Sequence, residues 1–168
     1  LLGEQSALLW SSGANRSQKD LYRFDVLTGG LVEYRLQNPA MSLSIAPTEQ
    51  FAIALTRAEA FSGGNDVDAV YDQHPGMEIV DLNSDNIVPY ILEGNGLGIA
   101  YTYDETHLKA LVLQEGVENL FQIDLYGGGS EEIDTSAPPV AIGSMPDGRF
   151  FVTHDRALGL VSFIDAQG

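Results

Sequence analysis

The sequence predicts an all-β fold made of repeated four-stranded antiparallel sheets, and three observations lead to this prediction. A short strand that ends in aspartate occurs four times without gaps, at 21–25, 77–81, 120–124 and 161–165. Its aspartates are 56, 43 and 41 residues apart, and a period of about 40 to 45 residues is typical of a β-propeller blade. No segment sustains the apolar period of an amphipathic helix, so we expect almost no helix.

The elements of each repeat follow one another in a fixed order. An inner strand, in which large apolar residues alternate with Ser, Gly or Ala, suits a crowded central axis and lies at 41–45, 97–101 and 140–144. A second, apolar strand is predicted at 7–10, 51–55, 108–113 and 150–153. The aspartate strand is third, and a turn rich in Gly or Asn leads to a more polar outer strand at 31–36, 87–92 and 130–133.

This count gives three, four, four and three strands, so the first repeat lacks an inner strand and the last lacks an outer one. We predict a β-propeller of about four blade equivalents, one segment over 1–168 with repeats at 1–37, 38–93, 94–137 and 138–168. Three interpretations remain open: a piece of a larger propeller, half of an assembly completed by a second copy or chain, or a compact four-bladed ring.

Two parts of the chain resemble known propeller repeats. Residues 146–153 with 159–165 are similar to the YVTN-type repeat, and residues 20–25 with 28–30 are similar to the repeat of TolB-like propellers. At 48–50 and 105–107 the usual Asp-Gly is replaced, so the earlier repeats are degenerate. The resemblance implies a blade, and its families include lactonases, protein-binding scaffolds, peptidase propellers and many bacterial periplasmic or surface proteins. It therefore implies an extracytoplasmic, bacterial location.

Charge and composition limit the kinds of molecule that the chain is expected to bind. The chain has 24 acidic against 8 basic residues, a formal charge of −16, and no cysteine. This charge repels nucleic acid and anionic membrane surfaces, and no apolar stretch is long enough to enter a bilayer. It leaves a solubility role, cation binding or a basic partner as interpretations. Without cysteine, disulfides and thiol chemistry are excluded.

One insertion stretches the repeat spacing and is the first candidate for function. Residues 57–76 form a polar loop on a rigid scaffold, where binding residues are often found. Its carboxylates, tyrosine and histidine predict contact with a partner or a metal, against the alternative of a solvated loop; they are Asp66, Asp68, Tyr71, Asp72 and His74.

A second candidate is a weak calcium motif in the turn that follows the second aspartate strand. Asp81, Asn83 and Asp85 stand at alternate positions, as oxygen ligands do at the start of a calcium loop. Asn86 replaces the glycine that such a loop needs, and the acid expected at its end is displaced to Glu93. The alternative is a structural hairpin turn, with no cofactor.

The remaining polar residues predict structural roles. The three histidines show no metal-ligand spacing and are expected in turns or at blade edges, and the repeat aspartates are expected to bond the backbone of their turns. Trp10 and the tyrosines are expected between blades or on a recognition surface. Because no catalytic motif occurs, we expect a non-enzymatic module that binds a protein or small ligand through loops on one face. The alternatives are a hydrolase or lactonase fragment with its site on the axis, and a purely structural envelope array.

Overall fold

The computed structural model describes residues 5–11, 19–58, 68–103, 106–154 and 159–165. The chain divides into two units, Leu1–Leu92 and Glu93–Gly168. The described residues contain 14 strands in four antiparallel sheets of three, four, four and three strands, which confirms the predicted fold class.

The first unit holds two sheets and one short helix. Its strands and helix are β1 (Ser6–Trp10), β2 (Asp20–Asp25), β3 (Leu31–Arg35), β4 (Ala40–Ile45), β5 (Phe51–Thr56), α1 (Asp68–Asp72), β6 (Gly76–Asp81) and β7 (Ile87–Ile91). The sheet orders are β1-β2-β3 and β4-β5-β6-β7, so each strand pairs with the next one along the chain. The insertion at 57–76 thus contains a helical turn where the sequence predicted a loop. This described helix is far shorter than a bilayer crossing requires.

Two facing sheets form the core of the first unit. Leu21 and Tyr34 from the first sheet pack with Ala52, Ala54 and Val80 from the second. The small alanines in β5 let the sheets approach closely, because alternate strand residues point to the same face. The opposite face of the first sheet carries exposed apolar side chains, including Leu9 and Leu31.

The second unit repeats this arrangement. Its strands are β8 (Gly96–Tyr103), β9 (Leu108–Gln114), β10 (Asn119–Asp124), β11 (Ser130–Asp134), β12 (Pro139–Ser144), β13 (Arg149–His154) and β14 (Val161–Asp165). The sheets are ordered β8-β9-β10-β11 and β12-β13-β14. Leu111, Leu113 and Leu120 of one sheet pack against Phe150 and Val152 of the other. The sheet β12-β13-β14 has no fourth strand within the described residues, so β14 is an edge.

Each inner strand has the same irregularity at its second residue. The pairing register shifts between Ala40 and Ser42, between Gly96 and Gly98, and between Pro139 and Ala141. The residue skipped by each shift is a large apolar one with its side chain 44 %, 56 % and 50 % exposed: Met41, Leu97 and Val140. A bulge of this kind redirects a side chain away from the ladder, and here it turns an apolar group to solvent in every complete inner strand.

The aspartate turns are structural, as expected. Asp25 Oδ1 accepts the backbone N–H groups of Leu27 and Thr28 at 2.9 and 2.8 Å, and Asp124 Oδ1 accepts those of Tyr126 and Gly127 at 3.0 Å. Because the bond from Thr28 favours the ionised form, the pKa of Asp25 lies below its ordinary value.

Of the three histidines, which were expected in turns or at blade edges, His154 differs from the exposed His74 and His107. It is buried at the end of β13, where Nδ1–H donates to Ala137 O at 2.9 Å and Nε2 accepts from Ser162 Oγ at 2.8 Å. The aromatic residues divide: Tyr34 is buried between sheets, whereas Trp10, Tyr103 and Tyr126 are exposed.

Candidate binding site at the linker edge

At one end of each sheet lie the linkers that join it to the next sheet and the loops beside them. We call this end the linker edge. In the first unit it comprises the linker 36–39, the start of β4, residues 57–58 and 68–75, and the end of β7. In the second unit it comprises residues 93–95, the loop 115–118 and the linker 135–138. The antiparallel order fixes this grouping, because alternate connections lie at the same end of a sheet.

A buried polar side chain holds each linker at this edge. Glu78 Oε2 accepts the N–H of Gln37 at 2.8 Å and its Oε1 accepts the N–H of Asn38 at 2.9 Å. In the second unit Gln114 Oε1 accepts the N–H groups of Glu93 and Gly94 at 2.9 and 3.3 Å, and His154 bonds the carbonyl of Ala137 as described above. Buried backbone groups need such partners wherever the ladder leaves them free.

Helix α1 is anchored to the same linker. Asn38 Nδ2 donates to the carbonyl oxygen of Tyr71 at 2.8 Å, and the N–H of His74 donates to the same oxygen at 3.3 Å. Asp72 Oδ1 lies 3.7 Å from Lys19 Nζ. These contacts hold α1 at the linker edge, where Tyr71 is half-buried and His74 is exposed.

A small pocket lies between the linker, α1 and the adjoining ends of β5, β6 and β7. Its polar lining is Gln37, Asn38, Thr56 and Glu78, and its aromatic lining is Tyr71, His74 and Tyr90. Burial raises the pKa of the Glu78 carboxyl above its ordinary value, and the N–H groups of Asn38 and Gln37 offset this in part. The pocket thus contains a carboxylate that lacks most of its hydration.

The predicted insertion residues are only partly brought together. Tyr71 and His74 share the pocket, whereas Asp72 pairs with Lys19 outside its lining. Asp66 lies outside the described residues, and for Asp68 only its backbone place at the start of α1 is described. Among the described residues, no group of three or more His, Asp or Glu side chains is placed to hold a metal.

The second candidate group forms the hairpin turn between β6 and β7. Asp81 Oδ1 accepts the N–H of Asn83 at 2.9 Å and Oδ2 accepts the hydroxyl of Ser84 at 2.6 Å. Desolvation raises the pKa of Asp81, but these bonds outweigh it, so the pKa lies below its ordinary value. Asp85 is exposed with φ 56°. The turn already engages both oxygens of Asp81, and calcium binding here stays a prediction.

Sequence reasoning missed Gln37, Asn38 and Glu78. Glu78 stands three residues before the repeat aspartate, where the other repeats have Tyr22, Phe121 and Ser162. An acid at a position that alternation assigns to a buried face was the available signal, because burying a carboxylate requires compensating partners. The two amides carried no such signal, since a linker is expected to be polar.

No protein-family model matches the sequence, and no curated protein matches it either. Solved structures do. The chain superposes on the dihydro-heme d1 dehydrogenase NirN, in complex with DHE, at a TM-score of 0.60 and 17 % identity, over 96 % of this chain and 35 % of that one. TolB from Acinetobacter baumannii gives a TM-score of 0.50 at 15 % identity, over 96 % and 41 % of the two chains.

A third match is an auxiliary nutrient binding protein from Bacteroides thetaiotaomicron. Its TM-score is 0.50 at 10 % identity, over 95 % of this chain and 46 % of that one. These neighbours are β-propeller proteins, and the chain has the same fold and resembles their repeats. It spans less than half of the length of each of the three.

Proposed function

We propose that the chain is a non-enzymatic β-propeller module that binds a basic protein segment at the linker edge. The observation that carries the proposal is the anchoring of α1 by Asn38 and Glu78, which fixes Tyr71 and His74 at this edge. Aromatic residues on a rigid support are common anchors of interfaces, because little conformational entropy is lost when they bind. The formal charge of −16 favours a partner rich in Lys or Arg.

The apolar residue on the bulge of β4 extends the proposed surface within the first unit. Met41 lies at the start of β4, at the same edge as α1, and Leu97 and Val140 occupy the matching positions in the second unit. A partner would meet apolar contacts within an acidic field, a combination that gives both affinity and orientation. The alternative of an enzyme with its site on the axis gains no support from the described inner strands, which carry no acid or histidine.

The proposal includes where the protein is located and how its propeller is completed. The TolB-like and YVTN-like repeats favour an extracytoplasmic place, in the periplasm or on the surface of a bacterium. The exposed faces of the sheets β1-β2-β3 and β12-β13-β14 favour further blades beside them, from a longer chain or from a second copy. Binding through a completed propeller is consistent with the length of the neighbours.

The test is selection of a randomised peptide library on phage against the immobilised chain, followed by calorimetry of the selected peptides. We expect peptides rich in Lys and Arg, with affinity at least about tenfold lower for the double variant Tyr71→Ala, His74→Ala. The matched control, Tyr103→Ala with His107→Ala, changes the same residue types at the opposite end of a sheet and should bind normally. Equal binding by both double variants would contradict the proposal.

A further inference from the structure

The pocket beneath α1 contains two hydrogen-bond acceptors that no other described residue satisfies. Asn38 Oδ1 and Gln37 Oε1 are buried and have no hydrogen-bond partner in the part of the chain that the structure describes. Asn38 is 3 % exposed, and its amide nitrogen is already engaged with Tyr71. Leaving a buried acceptor unpaired is unfavourable, so two of them on one pocket wall require an explanation.

Glu78 adds a third acceptor and the charge. It is 2 % exposed, and each of its carboxylate oxygens accepts one backbone N–H group. An ionised carboxylate has about four acceptor positions, so lone pairs remain on both oxygens. The pocket thus offers two amide oxygens and one carboxylate in a space with room for a water-sized guest.

We propose that this pocket binds the primary ammonium group of a partner's lysine side chain. An ammonium group has three N–H donors and one positive charge, which match the two amide oxygens and the charged carboxylate of Glu78. The two donors of a water molecule would satisfy the two amide oxygens, but water would leave Glu78 without a cation in the pocket, because Lys19, which acts on its charge, is outside the lining. Calcium takes six to eight oxygen ligands, more than Gln37, Asn38 and Glu78 supply.

The pocket has room for the ammonium group of a lysine but not for the rest of its side chain. Its cavity volume of about 10 Å³ holds one guest of the size of a water molecule, so the methylene groups would lie outside it. Tyr71 and Tyr90 line the pocket, and aromatic faces attract a cation. The inference rests on the proposed function, since it names the group by which a basic partner would be recognised.

The test uses small probes and reads the pocket directly. N-acetyl-lysine methylamide is titrated into the chain while NMR follows the Glu78 side-chain carbon and the Gln37 and Asn38 amide groups. We expect saturable shifts at all three residues. Alanine methylamide, whose only cation is its α-ammonium group, distinguishes a chain terminus from a lysine side chain and should bind more weakly. Tetramethylammonium has the charge without N–H donors and should leave the three signals unmoved.

Two variants separate a built site from general electrostatics. Gln37→Leu removes an acceptor that has no partner among the described residues, so it should leave the fold intact while weakening the lysine probe about tenfold. Glu78→Gln should weaken the probe at least as much, whereas Glu33→Gln, the same change at an exposed position, should have no effect.

The outcomes distinguish this inference from the proposed function. If the probe leaves the pocket signals unmoved, or binds Gln37→Leu as it binds the native chain, the ammonium site is wrong even where selected peptides still bind. Equal shifts with tetramethylammonium would also overturn it. If the probe binds as expected but the affinity of the selected peptides does not depend on Tyr71 and His74, the ammonium site is supported and the wider binding surface is wrong.

Discussion

At the scale of single residues, Glu78 occupies an environment that disfavours its ionised form. Its carboxylate is buried, Lys19 acts on its charge, and Tyr71, His74 and Tyr90 line the same pocket; Asp72, which pairs with Lys19, lies outside that lining. Burial is the largest influence and raises its pKa, so the folded chain holds this proton more tightly than the unfolded chain. Folding is therefore coupled to protonation at one position inside the proposed site.

We expect the contribution of Glu78 to stability to fall as pH rises. Because its folded pKa lies above its unfolded value, the contribution is fully present below the unfolded pKa and is lost as pH rises through the folded one. The measurement is the free energy of unfolding in urea across a pH series, for the native chain and for Glu78→Gln. The difference, native minus variant, should fall with rising pH. A flat or rising difference would show that Glu78 is not held in this way.

Only some residues of the candidate site could be predicted from the sequence. Tyr71 and His74 were predicted because their segment stretches the repeat, and the structure brings both to one pocket. Asn38 and Gln37 could not be predicted, since their role depends on two facing sheets and a linker that crosses between them. Short patterns report neighbours along a chain, whereas a pocket is built from residues whose proximity comes from the fold.

At the scale of elements, the turns after the aspartate strands share one backbone position. The fourth residue after the aspartate has a positive φ in three of them: 71° at Gly29, 56° at Asp85 and 71° at Gly128. Glycine adopts this left-handed conformation without steric cost, and aspartate tolerates it better than most residues do. The second repeat, which contains the insertion, thus has the same turn geometry with Asp85 in place of the glycine.

We expect Gly128→Ala to lower the free energy of unfolding by about 1 kcal/mol. A Cβ atom at Gly128 would meet nothing within 4 Å, so the cost comes from φ alone. Gly98 is the matched control, because a Cβ there also has open space and its φ is not positive. Gly98→Ala should therefore be neutral or slightly stabilising in the same urea experiment. Equal losses at both positions would mean that φ is not the cause.

The buried polar side chains that hold the linkers, here called linker clamps, act at the same scale. Gln114→Leu should destabilise the second unit by about 1–3 kcal/mol, because Glu93 N–H, Gly94 N–H and Asn119 Oδ1 would each lose a partner. Hydrogen exchange should accelerate at the Glu93 and Gly94 amides. Glu132→Leu, at an exposed position of β11, is the control and should change stability by no more than about 0.5 kcal/mol. Unchanged exchange at both amides would contradict the clamp.

At the scale of the whole molecule, strand number and order were predictable because each depends on local patterns. The aspartate strands, the glycine turns and the alternating inner strands recur, and the sheets group them as three, four, four and three strands. The shared bulge at Met41, Leu97 and Val140 was not predictable, since it depends on a register shift against the next strand. The domain division into repeats and the number of blades in the complete propeller stay predictions.

One face of the sheet β12-β13-β14 has exposed apolar side chains. Phe163 is 58 % exposed on the edge strand β14, and Val161 and Leu160 are exposed beside it. Pairing places Phe163 opposite Phe151 on one face, whereas the other face is filled by Phe150 and Val152. A blade in the middle of a propeller has both faces covered, so this side should accept another copy when the chain is alone.

We expect the isolated chain to self-associate reversibly, with a mass above 18.1 kDa that rises with concentration in sedimentation velocity. Phe163→Glu should return the mass to that of a monomer, because a carboxylate on the apolar face would have to be desolvated on contact. The change is compatible with folding, since the side chain is exposed and the Arg149 guanidinium lies 5.5 Å from the native ring centroid. Leu27→Glu, at a turn position 73 % exposed, is the control and should associate like the native chain. A mass of 18.1 kDa at every concentration would show that this face does not bind a second copy, and would leave further blades of a longer chain as its proposed cover.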